Sequence, residues 1–252
     1  MPIYKTEALA LRLLPFEETG GLVTLLTRER GKAVAAAKGI RRPQSSLAAA
    51  VQPGSYSLVS IAPGRNLDLL TQARLLESYP RLRADLLRLV YAMHVLELLD
   101  LTTTLGQADP ALFDLAIKVM ETLESTADPE PVLAVLQVNL LRSHGVPVAL
   151  DRCGGCSRAL EGEPGRFSVS RGGRLCRECA RTVPDAFGLT PTLLAELNAL
   201  DAAPPLSPND WPKSASAEVR RVLERFVIYH LSVEPRSGRF LQTVAAPSRK
   251  RG

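Results

Sequence analysis

Residues 20–43 read GGLVTLLTRERGKAVAAAKGIRRP, and this stretch decides how the N-terminal part of the chain is predicted to fold. Leu22–Thr27 is rich in aliphatic and β-branched residues, which favours a strand, and a second apolar run follows at Lys32–Ala37. The four residues between these runs end in Gly31, and glycine can take the left-handed backbone conformation that a tight hairpin needs. The stretch therefore predicts a β-hairpin.

The turn and the exit strand of this hairpin are strongly basic. Six basic side chains stand against Glu29 alone: Arg28, Arg30, Lys32, Lys38, Arg41 and Arg42. Such a density of positive charge predicts a surface that faces a polyanion. From the charges alone, a solvated hairpin without a partner is the alternative.

The residues on either side of the hairpin extend the β pattern. Ile3–Leu14 predicts a long first strand, and Tyr56–Ile61 and Leu67–Glu77 predict two further strands. About five strands in under 80 residues, with Gly and Pro turns between them, favour a small closed barrel of the OB type. An SH3-like barrel would produce a similar pattern.

The period of the apolar residues changes at Pro80. Apolar side chains at helical spacing over Pro80–Leu101 predict an amphipathic helix, and Ala217–Leu231 predicts another. Three dipeptides place a capping residue before a proline and so predict helix starts: Asp109-Pro110, Asp128-Pro129 and Thr190-Pro191. His94 and His144 lie on or beside these helices, where we expect them to be structural rather than catalytic.

All four cysteines fall within 27 residues, as Cys153-Gly154-Gly155-Cys156 and Cys176-Arg177-Glu178-Cys179. Two CxxC pairs at this separation are typical of a zinc site, because each pair forms a knuckle and four thiolates complete a tetrahedral shell. Disulfide bonds are disfavoured in a chain with no export signal. A redox motif would explain one CxxC pair but not two. The spacing predicts one structural Zn²⁺ in a module that resembles a zinc ribbon.

The composition of the chain and the motifs that it lacks limit the possible classes of function. The chain has 252 residues, 46% of them hydrophobic and 23% charged, which is ordinary for a globular protein. It lacks a signal peptide and any apolar run of the roughly 18 to 20 residues that a membrane span needs, so we expect a cytoplasmic protein without membrane contact. It also lacks the GxGxxG, phosphate-loop, HExxH and GxSxG motifs. We therefore expect a binding protein and no catalytic residues.

A basic barrel, a helical bundle and an inserted cysteine module together resemble the RecO family of bacterial recombination and repair proteins. The likeness covers nearly the whole chain and is most specific in LLTRERGK and AKGIRRP, within residues 20–43. Gln52-Pro53-Gly54, Gly64-Arg65 and Glu77-Ser78-Tyr79 extend it. Beyond about residue 182 it is loose.

This resemblance implies an N-terminal OB fold that binds single- and double-stranded DNA. It further implies annealing of complementary strands and partnership with RecR in loading RecA onto DNA coated by single-strand-binding protein, at the nucleoid. The predicted DNA-binding residues are Arg28, Arg30, Lys32, Lys38, Arg41, Arg42, Arg65 and Arg74. An RNA-binding ribosome-associated protein and a non-enzymatic interaction adaptor are the alternative functions.

The expected fold class is a multidomain α+β protein with an N-terminal OB-fold β-barrel, a helical bundle and an inserted zinc-ribbon-like module. The predicted domains are the nucleic-acid-binding barrel (1–79), the helical bundle (80–150 and 182–245), the zinc-binding module (151–181) and a basic disordered tail (246–252).

Overall fold

The computed structural model describes residues 2–42, 45–160 and 165–245. The predicted tail 246–252 lies outside these residues, as does Pro43 at the end of the opening stretch. The chain divides into two compact units. One comprises the described residues up to Thr126 and from Pro235 onward, and the other is Ala127–Glu234. The domain limits drawn from the sequence stay predictions.

The first unit contains a closed barrel of five strands. They are β1 (Tyr4–Phe16), β2 (Gly20–Thr27), β3 (Gly31–Ala37), β4 (Tyr56–Ala62) and β5 (Asp68–Glu77). Their order around the barrel is β1-β2-β3-β5-β4, and all neighbours are antiparallel except β3 and β5. Five strands closed in this order form a barrel of the OB type, which confirms the predicted fold class.

The hairpin between β2 and β3 is one residue tighter than the sequence predicts. Gly31 already pairs with Thr27 as the first residue of β3, so three residues rather than four form the turn. Gly31 has the expected positive φ, at 67°, and a Cβ at this position would stand 1.9 Å from the backbone oxygen of Gln107. The turn therefore requires glycine for its conformation and for its close packing.

The barrel interior is filled by aliphatic side chains and sealed by small ones. Val23, Leu25 and Ile61 are at most 1% exposed, and β3 contributes Ala35 and Ala37 to the same core. Alanine is small enough to let β3 approach β5, which it meets at only two residue pairs. The apolar residues of the predicted strands thus fill a packed core.

Eight helices lie in the described part of the chain. They are α1 (Pro80–Ala84), α2 (Leu86–Thr102), α3 (Pro110–Ser125), α4 (Glu130–Ser143), α5 (Cys179–Thr182), α6 (Pro191–Ala202), α7 (Ala217–Leu231) and α8 (Ser237–Ala245). The single helix predicted from Pro80 to Leu101 is wrong, because Asp85 adopts an extended conformation between α1 and α2. Its carboxylate accepts a hydrogen bond from the backbone N–H of Arg88 and so caps the start of α2.

The second unit combines helices with a small sheet. Helix α4 packs against α6 and α7. The strands β6 (Arg166–Ser168), β7 (Gly173–Leu175) and β8 (Phe187–Gly188) form a sheet in the order β7-β6-β8. The ring of Phe167 contacts those of Phe187 and Phe226, which joins the sheet to α7. Strands β6 and β7 pair as a short antiparallel hairpin between the two cysteine pairs.

Helix α8 returns to the first unit and docks on α2 through buried polar groups. Glu97 accepts hydrogen bonds from the backbone N–H groups of Arg236 and Ser237, both at 2.9 Å. His94 Nδ1 lies 2.8 Å from Ser237 Oγ, and the histidine is 2% exposed. Burial lowers the pKa of His94 from its ordinary value of 6.5 to about 4, although the nearby Glu97 carboxylate opposes the shift. His94 is therefore a neutral structural group near neutral pH.

We predict that acid weakens the first unit through His94. Because the pKa of His94 is lower in the folded chain, its contribution is complete above pH 6.5 and is lost as the pH falls toward 4. The free energy of unfolding, from urea titrations, should fall by about 2 kcal/mol more between pH 7 and pH 5 in the parent protein than in His94→Asn. His144→Asn, at an exposed histidine, is the control and should behave like the parent. An equal loss in the parent and His94→Asn would contradict this assignment.

Candidate metal centre and nucleic-acid interface

The four cysteines converge on one point. The sulfur atoms of Cys153, Cys156, Cys176 and Cys179 all lie within 4.8 Å of one another, and none of the four forms a disulfide. The Sγ atoms of Cys156 and Cys176 are 3.9 Å apart. Zinc–thiolate bonds of about 2.3 Å in a tetrahedron place sulfur atoms about 3.8 Å apart. The cluster therefore has the ligand number, ligand type and spacing for one metal ion.

Each CxxC pair folds into a knuckle whose backbone N–H groups point at sulfur. Cys153 Sγ accepts from the backbone N–H groups of Gly155, at 3.4 Å, and Cys176, at 3.3 Å. Cys176 Sγ accepts from the N–H of Cys179 at 3.5 Å. Burial would raise the pKa of Cys153, but the N–H donors outweigh it and lower that pKa to about 6. Backbone N–H donors also lower the pKa of Cys176, whereas hydrogen bonds with the neighbouring cysteines raise the pKa of Cys179 to about 12. The donors thus favour the thiolate form, which a metal requires, at Cys153 and Cys176.

Glycine at position 155 is a packing requirement of this cluster. A Cβ on Gly155 would stand 2.9 Å from Cys179 Sγ and 3.7 Å from Cys153 Sγ. Beneath the sulfur atoms, Leu175 and Val183 form a small apolar core with the buried cysteines. The spacing of the cysteines in the sequence predicted the four ligands.

On the barrel, two of the predicted basic residues are engaged by carboxylates. Arg28 donates from Nε and Nη2 to the two carboxylate oxygens of Asp114 on α3, at 2.9 and 3.0 Å. This contact raises the pKa of Arg28 and lowers that of Asp114. Lys32 Nζ donates to the backbone oxygen of Asp100 at 2.5 Å and lies 3.5 Å from its carboxylate. Both residues therefore hold the hairpin against helices of the same unit.

Arg30 and Arg41 are held by fewer contacts than Arg28 and Lys32. The guanidinium of Arg30 lies over the ring of Tyr4, 4.9 Å from its centre. Arg41 Nη2 donates to the backbone oxygen of Glu17 at 2.8 Å, and Arg41 is exposed. Each side chain therefore keeps donors that can reach a ligand.

The other four predicted residues are exposed, and their side chains make no hydrogen bond or ion pair with any residue that the structure describes: Lys38, Arg42, Arg65 and Arg74. Lys38, Arg41 and Arg42 share one turn after β3, which the bond from the N–H of Arg42 to the oxygen of Gly39 closes at 3.0 Å. The hairpin tip lies at the other end of β3, about 20 Å away at about 3.3 Å per residue. The eight predicted DNA-binding residues thus lie at separate positions on the barrel. Three of them are close together in the turn at residues 38–42.

Sequence reasoning missed Lys5, which lines an open groove on the barrel together with Arg74. The groove has a volume of about 400 Å³ and includes the polar side chains of Ser60 and Gln72. Lys5 pairs with Ser60 across β1 and β4, and Ser60 pairs with Gln72 across β4 and β5. No local signal marks Lys5, because strand pairing alone brings it toward Arg74.

Together, an OB-type barrel, packed helices and a four-cysteine cluster define an α+β protein that joins a common nucleic-acid-binding fold to a metal-binding type of module. Residues 1–79 match the family described as "Recombination protein O N terminal", and residues 83–239 match "Recombination protein O C terminal". The chain belongs to the RecO family, as the resemblance in its sequence predicts.

Curated relatives extend along almost the whole chain. "DNA repair protein RecO" of Symbiobacterium thermophilum is 32% identical, over 97% of this chain and 98% of the relative. The protein of the same name from Desulforudis audaxviator is 34% identical, over 98% of this chain and all of the relative. That from Desulfitobacterium hafniense is 36% identical, over 71% of this chain and 65% of the relative. Family membership supports a role in DNA repair and recombination.

Within the described residues, no helix combines the length and the apolar composition that crossing a membrane requires.

We predict that Gly155→Ala weakens metal binding by the cluster. The added methyl group would stand 2.9 Å from Cys179 Sγ and 3.0 Å from its Cβ, so Cys179 must move from its place in the cluster. Gly188→Ala is the matched control, because Gly188 lies on β8 of the adjoining sheet and a methyl group there would meet no described atom within 4 Å. Competition with a chromophoric chelator should show at least about tenfold weaker binding in Gly155→Ala than in the control. Equal affinities would refute the role of Gly155.

Proposed function

We propose that this protein is a recombination mediator that binds single- and double-stranded DNA and anneals complementary strands. It acts with RecR at the nucleoid to load RecA onto DNA coated by single-strand-binding protein, and it does so without catalysing a covalent step. The observation that carries this proposal is the exposed basic turn Lys38–Arg42 on an OB-type barrel in a chain of the RecO family.

The main attractive force in the proposed DNA binding is electrostatic, between basic side chains and phosphates. Basic side chains that neutralise phosphates release condensed counterions, which produces binding that is independent of base sequence and sensitive to salt. Lys38, Arg41 and Arg42 form the principal contact, since they are exposed and close together. Arg65 and Arg74 extend it. Arg28, Arg30 and Lys32 remain in the proposed set with smaller contributions, because their charges already face Asp114, Tyr4 and Asp100.

The aromatic residues of the barrel support a mode of binding that leaves the bases free. OB folds commonly stack bases on aromatic rings. Here Tyr79 is 2% exposed, the ring of Tyr4 is covered by Arg30, and the ring of Tyr56 faces Phe113 at 6.3 Å. Phe16, at 36%, is the exposed exception. A strand held mainly by its backbone keeps its bases available for pairing, which is what annealing requires.

We predict that Lys38→Glu with Arg41→Glu weakens DNA binding for every sequence and slows annealing without nucleotide. Each lost phosphate contact should reduce the slope of log affinity against log salt by about one unit. Fluorescence anisotropy with single-stranded oligonucleotides measures the slope, and a two-strand fluorescence assay measures annealing. RNA of equal length is the comparison that separates DNA repair from ribosome association.

The matched control for that double variant is Arg81→Glu with Arg221→Glu, which makes the same change in charge on exposed residues of α1 and α7. Its salt slope should stay near that of the parent. A parent protein that binds DNA while Lys38→Glu with Arg41→Glu keeps the full slope would remove these two residues from the interface. A parent protein that neither binds nor anneals DNA would refute the function itself.

We also propose that the cysteine cluster holds one Zn²⁺ with a structural role. Cys153, Cys156, Cys176 and Cys179 would supply four thiolates, and a closed shell of this kind leaves no position for a substrate. The module has only a small apolar core of its own, so metal binding would supply much of its folding free energy.

We predict about one zinc atom per chain when the protein is purified without added metal and analysed by elemental mass spectrometry. Cys156→Ser should lower this content, because three thiolates bind the metal more weakly than four. Removal of the metal by a chelator should lower the midpoint of thermal unfolding. Metal-free protein with unchanged stability would rule the zinc site out.

A further inference from the structure

An open cavity of about 940 Å³ lies beside the cysteine cluster and is lined by five arginines. They come from four different parts of the module: Arg158 after the first knuckle, Arg166 on β6, Arg174 on β7, and Arg177 and Arg181 on either side of Cys179. Among the lining residues that the structure describes, none is acidic. The fold therefore brings arginines from separate segments together in one cavity.

The five arginines differ in how firmly they are held. Arg174 is 6% exposed, and its Nη1 donates to the backbone oxygen of Leu150 at 2.8 Å. Arg166 donates to the backbone oxygen of Ala186 at 2.5 Å. Arg158 lies 3.7 Å from Glu178, and both side chains are more than half exposed, so this ion pair is loose. Arg177 and Arg181 are exposed and have no hydrogen bond or ion pair within the described chain.

The negative charge of the cysteine sulfur atoms balances the positive charge of only some of these five arginines. Four thiolates around a divalent ion would carry a net charge of −2, and Glu178 adds one negative charge near Arg158. Among the residues that the structure describes at the cavity, the five guanidinium groups exceed both together; Glu161 and Glu163, between Leu160 and Gly165 in the sequence, lie outside the described residues. Holding five guanidinium groups at one cavity costs free energy through their mutual repulsion, which a bound anion would relieve.

We propose that this arginine-lined cavity binds phosphate oxyanions. The guanidinium group is planar and carries donors in a fixed fork that matches two phosphate oxygens at once. A volume of about 940 Å³ lies at the upper end of ordinary ligand pockets, which suits several linked phosphates better than a single small ion. The source is either a polynucleotide strand or a free nucleoside triphosphate. The first source deepens the proposed DNA function, and the second is independent of it.

The cysteine knuckles position this site. Arg177 follows Cys176 directly, and Arg181 lies two residues after Cys179, so the chain that carries both is fixed at two sulfur atoms. Cys176 itself lines the cavity. Anchoring of the backbone at these two sulfur atoms lowers the backbone entropy that this segment would lose on binding an anion.

The test is protection of individual arginines in the full-length, metal-loaded protein. Phenylglyoxal modifies exposed arginines, and peptide mass spectrometry reads the rate at each position with no ligand, with a dT12 oligonucleotide, or with ATP. Arg177 and Arg181 should react at least about fivefold more slowly with ligand, since a bidentate phosphate contact covers the guanidinium. Arg152 and Arg171 are internal controls, because they are exposed in the same module and do not line the cavity.

The pattern of protection decides the outcome. Protection by dT12 alone assigns a polynucleotide strand, protection by ATP alone assigns a free nucleotide, and protection by both assigns phosphate groups in general. Protection by neither, or equal protection of Arg152 and Arg171, overturns the proposal. In addition, Arg177→Gln with Arg181→Gln should weaken binding of the protecting ligand about tenfold, whereas Arg152→Gln with Arg171→Gln should not.

The proposed DNA function can fail separately from this site. If the parent protein shows no annealing but ATP still protects Arg177 and Arg181, the DNA function is refuted and the anion site stands. If the parent protein anneals strands while neither ligand protects these arginines, the anion site is refuted and the DNA function stands. Zinc content and circular dichroism of both double variants confirm that the module remains folded.

Discussion

Closure of the barrel by the short parallel pairing of β3 with β5 is the constraint on which the first unit depends. Only two residue pairs join these strands, at Ala35 and Ala36, so the small side chains of β3 and the aliphatic core beneath them must hold the strands together. This closure fixes where β3 ends, and therefore where the basic turn at residues 38–42 leaves the barrel. A slip of one residue would exchange the buried face of β3, with Ala33, Ala35 and Ala37, for the face that carries the half-buried Lys32 and Val34.

The basic residues of the barrel divide into structural and available groups. Lys32 and Asp100 are 15% and 18% exposed at their side chains, and Arg12 also reaches Asp100 at 3.3 Å. In this setting a missing partner would leave a partly buried charge uncompensated. The Arg28–Asp114 pair is more exposed, at 40% and 36%, so solvent screens it more. The number of basic residues in a stretch therefore overstates the charge that is available to a polyanion.

Sequence patterns predicted the elements whose causes are local. The strands of the barrel, the capped starts of α3 and α6 and the four-cysteine cluster all follow from spacing or from neighbouring residues. The break between α1 and α2 was missed because Leu82, Leu86 and Leu89 keep helical spacing across Asp85, which leaves the helix and caps the next one. The pairing of Arg28 with Asp114 joins residues 86 positions apart, and only the assembled fold brings them together.

The proposed annealing would place a specific demand on this chain, since two strands must approach while their phosphates repel and their bases stay uncovered. Exposed basic side chains on the barrel would offset the repulsion between phosphates. Its aromatic rings are buried or covered apart from Phe16, so most bases would stay uncovered. A second phosphate site on the metal module would let one molecule hold two segments of nucleic acid. Joining two sites in one chain would raise the effective concentration of the second strand. Moderate affinity at each site then favours annealing, because the paired product can still leave.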